Sequence, residues 1–135
     1  MIRLGPYKNF ILADRHRFGR WGEKYCIKHL RKKGFKLVAR NYNCPRGEID
    51  LIFLDPGASA NTLVFVEVKT RISGKLFRGR PLVSYKQKKR IAAAGKYFRK
   101  FYNIKDKPVR FDIVSIVLPR NGAVEFNHKT NAFVP

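Results

Sequence analysis

The stretch Leu63–Arg71 constrains the fold more than any other part of the sequence, because charged residues interrupt a strand-forming segment. It is rich in Val, Leu and Phe, which favour a buried β-strand, yet Glu67 and Lys69 lie in its middle. Since side chains alternate along a strand, Glu67, Lys69 and Arg71 are expected to share one face. A chain that buries such a strand has to accommodate a row of charges within its sheet.

The segment that precedes this strand has the same character. Gly47 to Leu54 is a second apolar stretch, and it carries Asp50. Sixteen residues separate Asp50 from Glu67, enough for the rest of one strand, a turn and the start of the next. An antiparallel hairpin could place the two carboxylates side by side, where they repel each other and resist ionisation. A divalent cation removes that penalty, so the pattern predicts a metal site with Lys69 alongside.

Length and composition favour a single core. The chain has 135 residues, of which 44% are apolar, and it contains no internal repeat, linker or low-complexity segment. We therefore expect one domain over residues 14–135, preceded by a basic N-terminal arm over residues 1–13. Cys26 and Cys44 fit no paired-cysteine metal spacing, and the start of the chain has too short an apolar stretch for a secretory signal. These features predict a cytoplasmic protein with reduced thiols.

The charge balance points to a polyanionic partner. The sequence has 30 Lys and Arg against 9 Asp and Glu, a net charge of +21. Nucleic acid is the favoured partner, because its phosphates are dense and release counterions on binding. An anionic membrane surface is the weaker alternative, since the positive charge is spread along the chain instead of forming one tract. No apolar run approaches the length of a membrane span.

Hydrophobic spacing and turn signals predict the order α-β-β-β-α-β-β. This order indicates an α/β (α+β) architecture, with a mixed central sheet of about five strands and two main flanking helices. The first helix carries Glu23, which is either a capping or surface glutamate or a third acid directed at Asp50 and Glu67. The second helix begins at the capping sequence Ser84–Gln87. Asp112 lies in a later apolar strand, where we favour a structural ion pair over a role in the site.

Basic residues near the predicted metal site are candidates for contacts with nucleic acid. A glycine-broken basic loop follows the third strand, and it is either a clamp on the nucleic-acid backbone or a solvated connection. The first turn of the second helix is a further candidate, because a helix N-terminus favours anions. The predicted nucleic-acid contacts are Arg71, Arg78, Arg80, Lys86, Gln87 and Lys89.

An Asp, sixteen residues and then Glu-x-Lys form the pattern of the PD-(D/E)XK nucleases, and the surrounding blocks resemble one family. The blocks are Gly19-x-x-Gly22-Glu23, Arg40-Asn41, Gly47-Glu48-Ile49-Asp50-Leu51-Ile52, Phe65-Val66-Glu67-Val68-Lys69-Thr70-Arg71, Lys86-Gln87, Arg110-Phe111-Asp112 and Asn131-Ala132-Phe133. Together they look like the bacterial YraN-type family of small predicted endonucleases. The resemblance covers nearly all of the chain after Ala13. It implies a restriction-endonuclease-like fold, akin to archaeal Holliday junction resolvases.

The resemblance implies that Glu23, Asp50, Glu67 and Lys69 form the active site. In that interpretation Asp50 and Glu67 bind Mg²⁺, or Mn²⁺ in its place, while Glu23 binds a metal-bound water or a second ion. Lys69 holds the attacking water and offsets negative charge, and Glu48, on the same face as Asp50, could substitute in either role of Glu23.

The expected function is Mg²⁺-dependent hydrolysis of phosphodiester bonds in DNA, with branched or structured DNA as one class of substrate. Cleavage of a junction needs two active sites, hence a homodimer. The alternative is a non-catalytic nucleic-acid-binding protein that retains the nuclease fold. For the Glu67 and Lys69 pair taken alone, the alternative is a simple salt bridge at a strand end.

Overall fold

The computed structural model describes residues 15–57, 61–72, 83–118 and 123–134, in which two helices flank one five-stranded sheet. The elements are α1 (Arg15–Lys32), β1 (Lys36–Cys44), β2 (Gly47–Asp55), β3 (Thr62–Ile72), α2 (Tyr85–Phe101), β4 (Val109–Leu118) and β5 (Glu125–Lys129). This mixed α/β architecture and its element order confirm the prediction. The predicted basic arm over residues 1–13 lies outside the described residues. No helix in the described ranges is long and apolar enough to cross a bilayer.

The strands lie in the sheet in chain order, from β1 at one edge to β5 at the other. All neighbours are antiparallel except β3 and β4, which run parallel from the pair Leu63 and Val109 to the pair Ile72 and Leu118. A parallel pair needs a crossover connection, which α2 supplies. The crossover places β3 in the middle of the sheet, with β2 on one side and β4 on the other.

Each face of the sheet carries its own apolar core. On one face α1 packs against β2, β3 and β4, and Cys26 and Leu30 are completely buried there. On the other face α2 inserts Ile91 and Phe98 against β2, β3 and β4. Because the middle strand is covered on both sides, it reads as an almost continuous run of apolar residues. Glu67 and Lys69, near the end of this strand, are therefore charged residues in largely apolar surroundings.

A buried network around Asp112 ties the last two strands and the C-terminal segment together. Its carboxylate accepts two hydrogen bonds from Arg110, at 2.8 and 2.9 Å, and one from the Asn131 backbone N–H at 2.9 Å; His128 Nε2 lies at 2.7 Å. Burial raises the pKa of Asp112, but the contacts with His128, Arg110 and Asn131 outweigh it and hold the pKa below its usual range. Arg110 also donates to Asp55 at 3.1 Å. The favoured interpretation of Asp112 as a structural ion pair therefore matches its surroundings.

Helix α1 approaches β3 closely at Gly22. A Cβ added at Gly22 would collide with the side chain of Thr70 and would touch Ile116, whereas a Cβ at Gly19 would meet nothing within 4 Å. The absence of a side chain at Gly22 therefore lets the helix lie near the end of β3. This approach positions the next residue, Glu23.

We expect opposite effects when the two glycines are replaced by alanine. Gly19→Ala stabilises the protein by about 1 kcal/mol or less, because alanine is the better helix former. Gly22→Ala destabilises it by about 1–3 kcal/mol, because the new methyl group overpacks the contact with Thr70. Urea denaturation of both variants measures the difference. Equal stabilisation by the two substitutions would contradict the close approach of α1 to β3.

Candidate active site

Two carboxylates face each other where β2 and β3 separate. The ladder between these strands ends at the pair Leu51 and Val66, and the next positions in the same register are Asp50 and Glu67. Directly opposite residues of an antiparallel pair project from the same face of a sheet. At this point a side chain replaces the backbone ladder, because Asp50 Oδ2 accepts a hydrogen bond of 2.9 Å from the Val68 N–H. The predicted juxtaposition of the two acids is thus present in the structure.

The two acids are held in a largely desolvated environment. Glu67 is only 9% exposed. Burial raises the pKa of Glu67 to about 7, and the nearby charge of Asp50 contributes to the same shift. Burial also raises the pKa of Asp50, although the hydrogen bond from Val68 opposes this shift. Without a bound metal ion, the pair therefore retains one proton up to about neutral pH.

Lys69 completes the row of charges along β3. Its Nζ lies 3.3 Å from Glu67 Oε1, and both side chains are mostly withdrawn from solvent. The salt bridge named as the structural alternative is therefore present. It does not account for Asp50, which forms no ion pair within the described ranges. The ammonium group of Lys69 is therefore the one positive charge described beside two adjacent carboxylates. When both acids are ionised, the three side chains together carry a net negative charge.

Glu23 of α1 is a third acid beside this pair. Burial raises the pKa of Glu23, and the negative charge of Asp50 raises it further, against the opposing effects of a side-chain hydrogen bond from Asn41 and the positive charges of Arg40 and Arg20. Glu23 Oε1 is buried and accepts no hydrogen bond in the described part of the chain. A buried acceptor without a donor costs about 1–3 kcal/mol. A water molecule or a cation near this oxygen would remove that cost.

The donor set is small, but it fits a hard divalent ion that retains several waters. In the described ranges, no three His, Cys, Asp or Glu side chains converge closely enough to form a complete metal site. Two carboxylates and a backbone carbonyl are available instead. Because the Val68 N–H points toward Asp50, the carbonyl of the same extended residue points to that side of β3 too. Mg²⁺ commonly binds through one or two carboxylates and retains several waters, so Asp50, Glu67 and this carbonyl are a sufficient set.

A pocket of about 580 Å³ opens beside the acids, on the α2 side of the sheet. Asp50, Glu67 and Glu48 line it from the strands, and Gln87 and Arg90 line it from α2. The pocket therefore combines acids on one wall with a cation and an amide on the other. That arrangement suits a phosphate group bound next to a metal ion.

Arg90 is the functional candidate that sequence reasoning missed. The sequence places it among the many basic residues of α2, with no sign that it differs from them. It lies one helical turn after Gln87, which is the spacing that could have indicated a shared face. Its position depends on Gly47, because a Cβ added at Gly47 would lie only 3.0 Å from the Arg90 carbonyl oxygen. Gly47 also has a φ of +154°, which other residues rarely adopt.

The predicted nucleic-acid contacts are distributed unevenly. Gln87 lines the pocket. Its backbone N–H donates to Ser84 Oγ at 3.1 Å, which confirms Ser84 as the N-cap of α2. Lys86 and Lys89 are exposed on the first turn of α2 but do not line the pocket, and Arg71 is half-buried near the end of β3. The two remaining predicted contacts, Arg78 and Arg80, lie outside the described residues.

We expect Glu67→Gln to stabilise the metal-free protein at high pH. The pKa of Glu67 is about 7 in the folded protein and about 4.5 in the unfolded chain. The wild-type protein therefore loses stability as the pH rises from about 4.5 through about 7, because the carboxyl ionises less readily in the folded state. At pH 8 the variant should therefore be more stable than the wild type by about 1–3 kcal/mol, and the difference should shrink toward pH 5. Urea denaturation in EDTA at the two pH values measures this difference.

A glutamate on the outer strand provides the control for that experiment. Glu125→Gln removes an exposed carboxylate from β5 and should change the free energy of unfolding by less than about 0.5 kcal/mol at either pH. If Glu67→Gln destabilised the protein at pH 8, or if its effect did not depend on pH, the desolvated pair would not exist as described.

Comparison with known proteins assigns the chain to a family. Residues 22–116 match the model of the uncharacterised protein family UPF0102, and this range contains Glu23, Asp50, Glu67 and Lys69. A UPF0102 protein of Porphyromonas gingivalis is 36% identical over 123 residues, which cover 90% of this chain and 87% of the relative. Relatives in Desulfitobacterium hafniense and Legionella pneumophila are 35% and 37% identical, covering 76% and 73% of this chain and 82% and 80% of their own lengths. The chain therefore belongs to the uncharacterised protein family UPF0102.

Proposed function

We propose that this protein is a Mg²⁺-dependent DNA endonuclease of the PD-(D/E)XK superfamily, which hydrolyses phosphodiester bonds in DNA, including branched or structured DNA. The observation that carries the proposal is the position of Asp50 opposite Glu67 at the end of the β2–β3 ladder, with Lys69 Nζ 3.3 Å from Glu67. Two desolvated acids repel each other unless a cation or a proton lies between them. A structural role explains neither their convergence nor the pocket that opens beside them.

Each residue of the site has a chemical role in this proposal. Asp50, Glu67 and the Val68 carbonyl would hold the ion, which when bound polarises the scissile phosphate and activates the attacking water. The Lys69 ammonium group, 3.3 Å from Glu67 Oε1, would orient the water and offset the negative charge that grows in the transition state. Glu23 would bind a metal-bound water or a second ion.

The basic and amide side chains around the acids favour the phosphate groups of DNA as the part of the substrate that the site binds. Arg90 and Gln87 form the wall of the pocket opposite the acids and can bind non-bridging phosphate oxygens. The net charge of +21 provides long-range attraction to nucleic acid at low salt. Cleavage of both strands at a branch would require two such sites, so we include a homodimer in the proposal for branched substrates.

A non-catalytic nucleic-acid-binding protein is the second candidate function. It is favoured by one observation, namely that no three metal-ligating side chains converge within the described ranges. Such a protein needs only the basic surface. Its affinity should persist in EDTA, and with about six phosphates engaged the logarithm of the affinity should fall against the logarithm of salt concentration with a slope of about −5.

Cleavage assays distinguish the two functions. With Mg²⁺, the wild type should cleave at least one of blunt duplex, flapped duplex and four-way DNA. Glu67→Gln and Asp50→Asn should each lower that rate by roughly a hundredfold or more, because both remove charge from the ion site. Glu125→Gln should cleave as the wild type does. If all three DNAs remained intact, or if Glu67→Gln had no effect, the proposed hydrolysis would be wrong.

Metal binding without DNA tests the ion site separately. The carboxyl group of Glu67 has a pKa of about 7 and must lose its proton before it binds a cation. Mn²⁺ should therefore bind about tenfold more tightly at pH 8 than at pH 6. Isothermal titration calorimetry measures both affinities. Asp50→Asn should abolish the heat of binding, while Asp106→Asn, in an exposed loop, should retain it. Equal affinities at the two pH values would argue against Glu67 as a ligand.

A further inference from the structure

A concave basic groove lies between α1 and β1, on the face of the sheet opposite the active-site pocket. Its volume is about 520 Å³. Four cations of α1 and one of β1 line it, over a floor made by Ile27 and Leu37. The five cations are Lys24, Lys28, Arg31, Lys32 and Arg40.

The groove carries little opposing negative charge in the described part of the chain, where Arg40 acts on the nearby carboxylate of Glu23 without forming an ion pair with it. None of the five cations forms an ion pair within the described ranges, whereas Lys69 and Arg110, elsewhere in the molecule, are both paired with carboxylates. Burial lowers the pKa of the neighbouring His29, and the positive charges of Lys32 and Lys33 lower it further. The positive potential at this end of α1 therefore extends to His29. Converging cations with little opposing charge repel one another, so the groove favours a polyanion.

The groove and the pocket lie on opposite faces of the sheet. Ile27 and Leu37 belong to the core on the α1 side, while Ile91 of the pocket belongs to the core on the α2 side. Strand β1 forms the edge of the sheet between them, with Arg40 in the groove and Asn43 at the pocket. A nucleic acid that occupies both must pass around this edge. Sharp bending of a duplex costs several kcal/mol, whereas an unpaired strand bends at little cost.

We propose that the groove between α1 and β1 binds the phosphates of a single-stranded DNA arm that leaves the active-site pocket around the edge strand β1. This inference rests on the proposed function, because it assigns a substrate class to the same protein: DNA in which a duplex meets an unpaired strand. The apolar floor contacts sugar or base, and the basic rim follows the backbone. A blunt duplex occupies the pocket side and leaves the groove empty.

The test is a binding experiment in EDTA with the full-length protein, which separates binding from cleavage. Lys28→Gln with Lys32→Gln removes two groove cations, and Lys96→Gln with Lys100→Gln is the matched control, since both pairs are exposed and four residues apart near a helix C-terminus. For a flapped duplex near 0.1 M salt, the groove variant should bind on the order of 20-fold more weakly, and its salt slope should be smaller by about 1.4. For a blunt duplex, the two variants should lose equal affinity.

Three outcomes would overturn the proposal. In the first, the groove and control variants lose equal affinity for the flapped duplex. In the second, wild-type protein binds flapped and blunt duplex equally well. In the third, the groove variant loses affinity for phosphatidylserine vesicles but retains it for DNA, which would assign the groove to a membrane surface.

Failure of this proposal and failure of the proposed function are distinguishable. If flap affinity is unchanged in the groove variant while Mg²⁺-dependent cleavage is lost in Glu67→Gln, the groove proposal is wrong and the nuclease stands. If flap affinity falls as expected and no DNA is cleaved, the groove binds DNA on a non-catalytic protein.

Discussion

The electrostatic repulsion between Asp50 and Glu67 is the constraint on which the rest of the site depends. The register of β2 and β3 sets the two acids opposite each other, and the cores on both faces withdraw them from much of the solvent that would otherwise screen them. Burial raises the pKa of both groups and of Glu23. All three shifts have the same sign, so the metal-free site loses stability as it ionises. This cost is the physical basis for the proposal that the site binds a divalent cation.

The backbone around the acids is arranged to keep them close. Gly22 lets α1 lie against the end of β3, and Gly47 lets the start of β2 lie against the Arg90 carbonyl. The two helices thus approach the separated strand ends from opposite faces, one with Glu23 and the other with Arg90. The Asp112 network fixes β4 and β5 beyond the site, and it is satisfied internally. The contacts of Asp112 lower its pKa, whereas the pKa values of Asp50 and Glu67 stay raised in spite of the Val68 N–H and the Lys69 ammonium group.

The sequence predicted the order of elements and the convergence of Asp50 and Glu67, because both follow from periodicity and hairpin spacing. It could not select Arg90 from the basic residues of α2, since that choice depends on how the helix meets Gly47. The predicted phosphate contacts Lys86 and Lys89 are exposed and lie outside the pocket lining, and their contact with nucleic acid stays a prediction. The Val68 N–H bond to Asp50 and the groove between α1 and β1 are products of tertiary packing, which no local pattern encodes.

Locating a bound ion would show whether Asp50 and Glu67 share one divalent cation. Crystals grown with Mn²⁺ would give an anomalous difference map in which the ion is located without reference to any activity. We expect a peak between Asp50 and Glu67, about 2–2.5 Å from an oxygen of each and near the Val68 carbonyl. A map with no peak between these carboxylates at saturating Mn²⁺, or with the ion bound elsewhere, would contradict it.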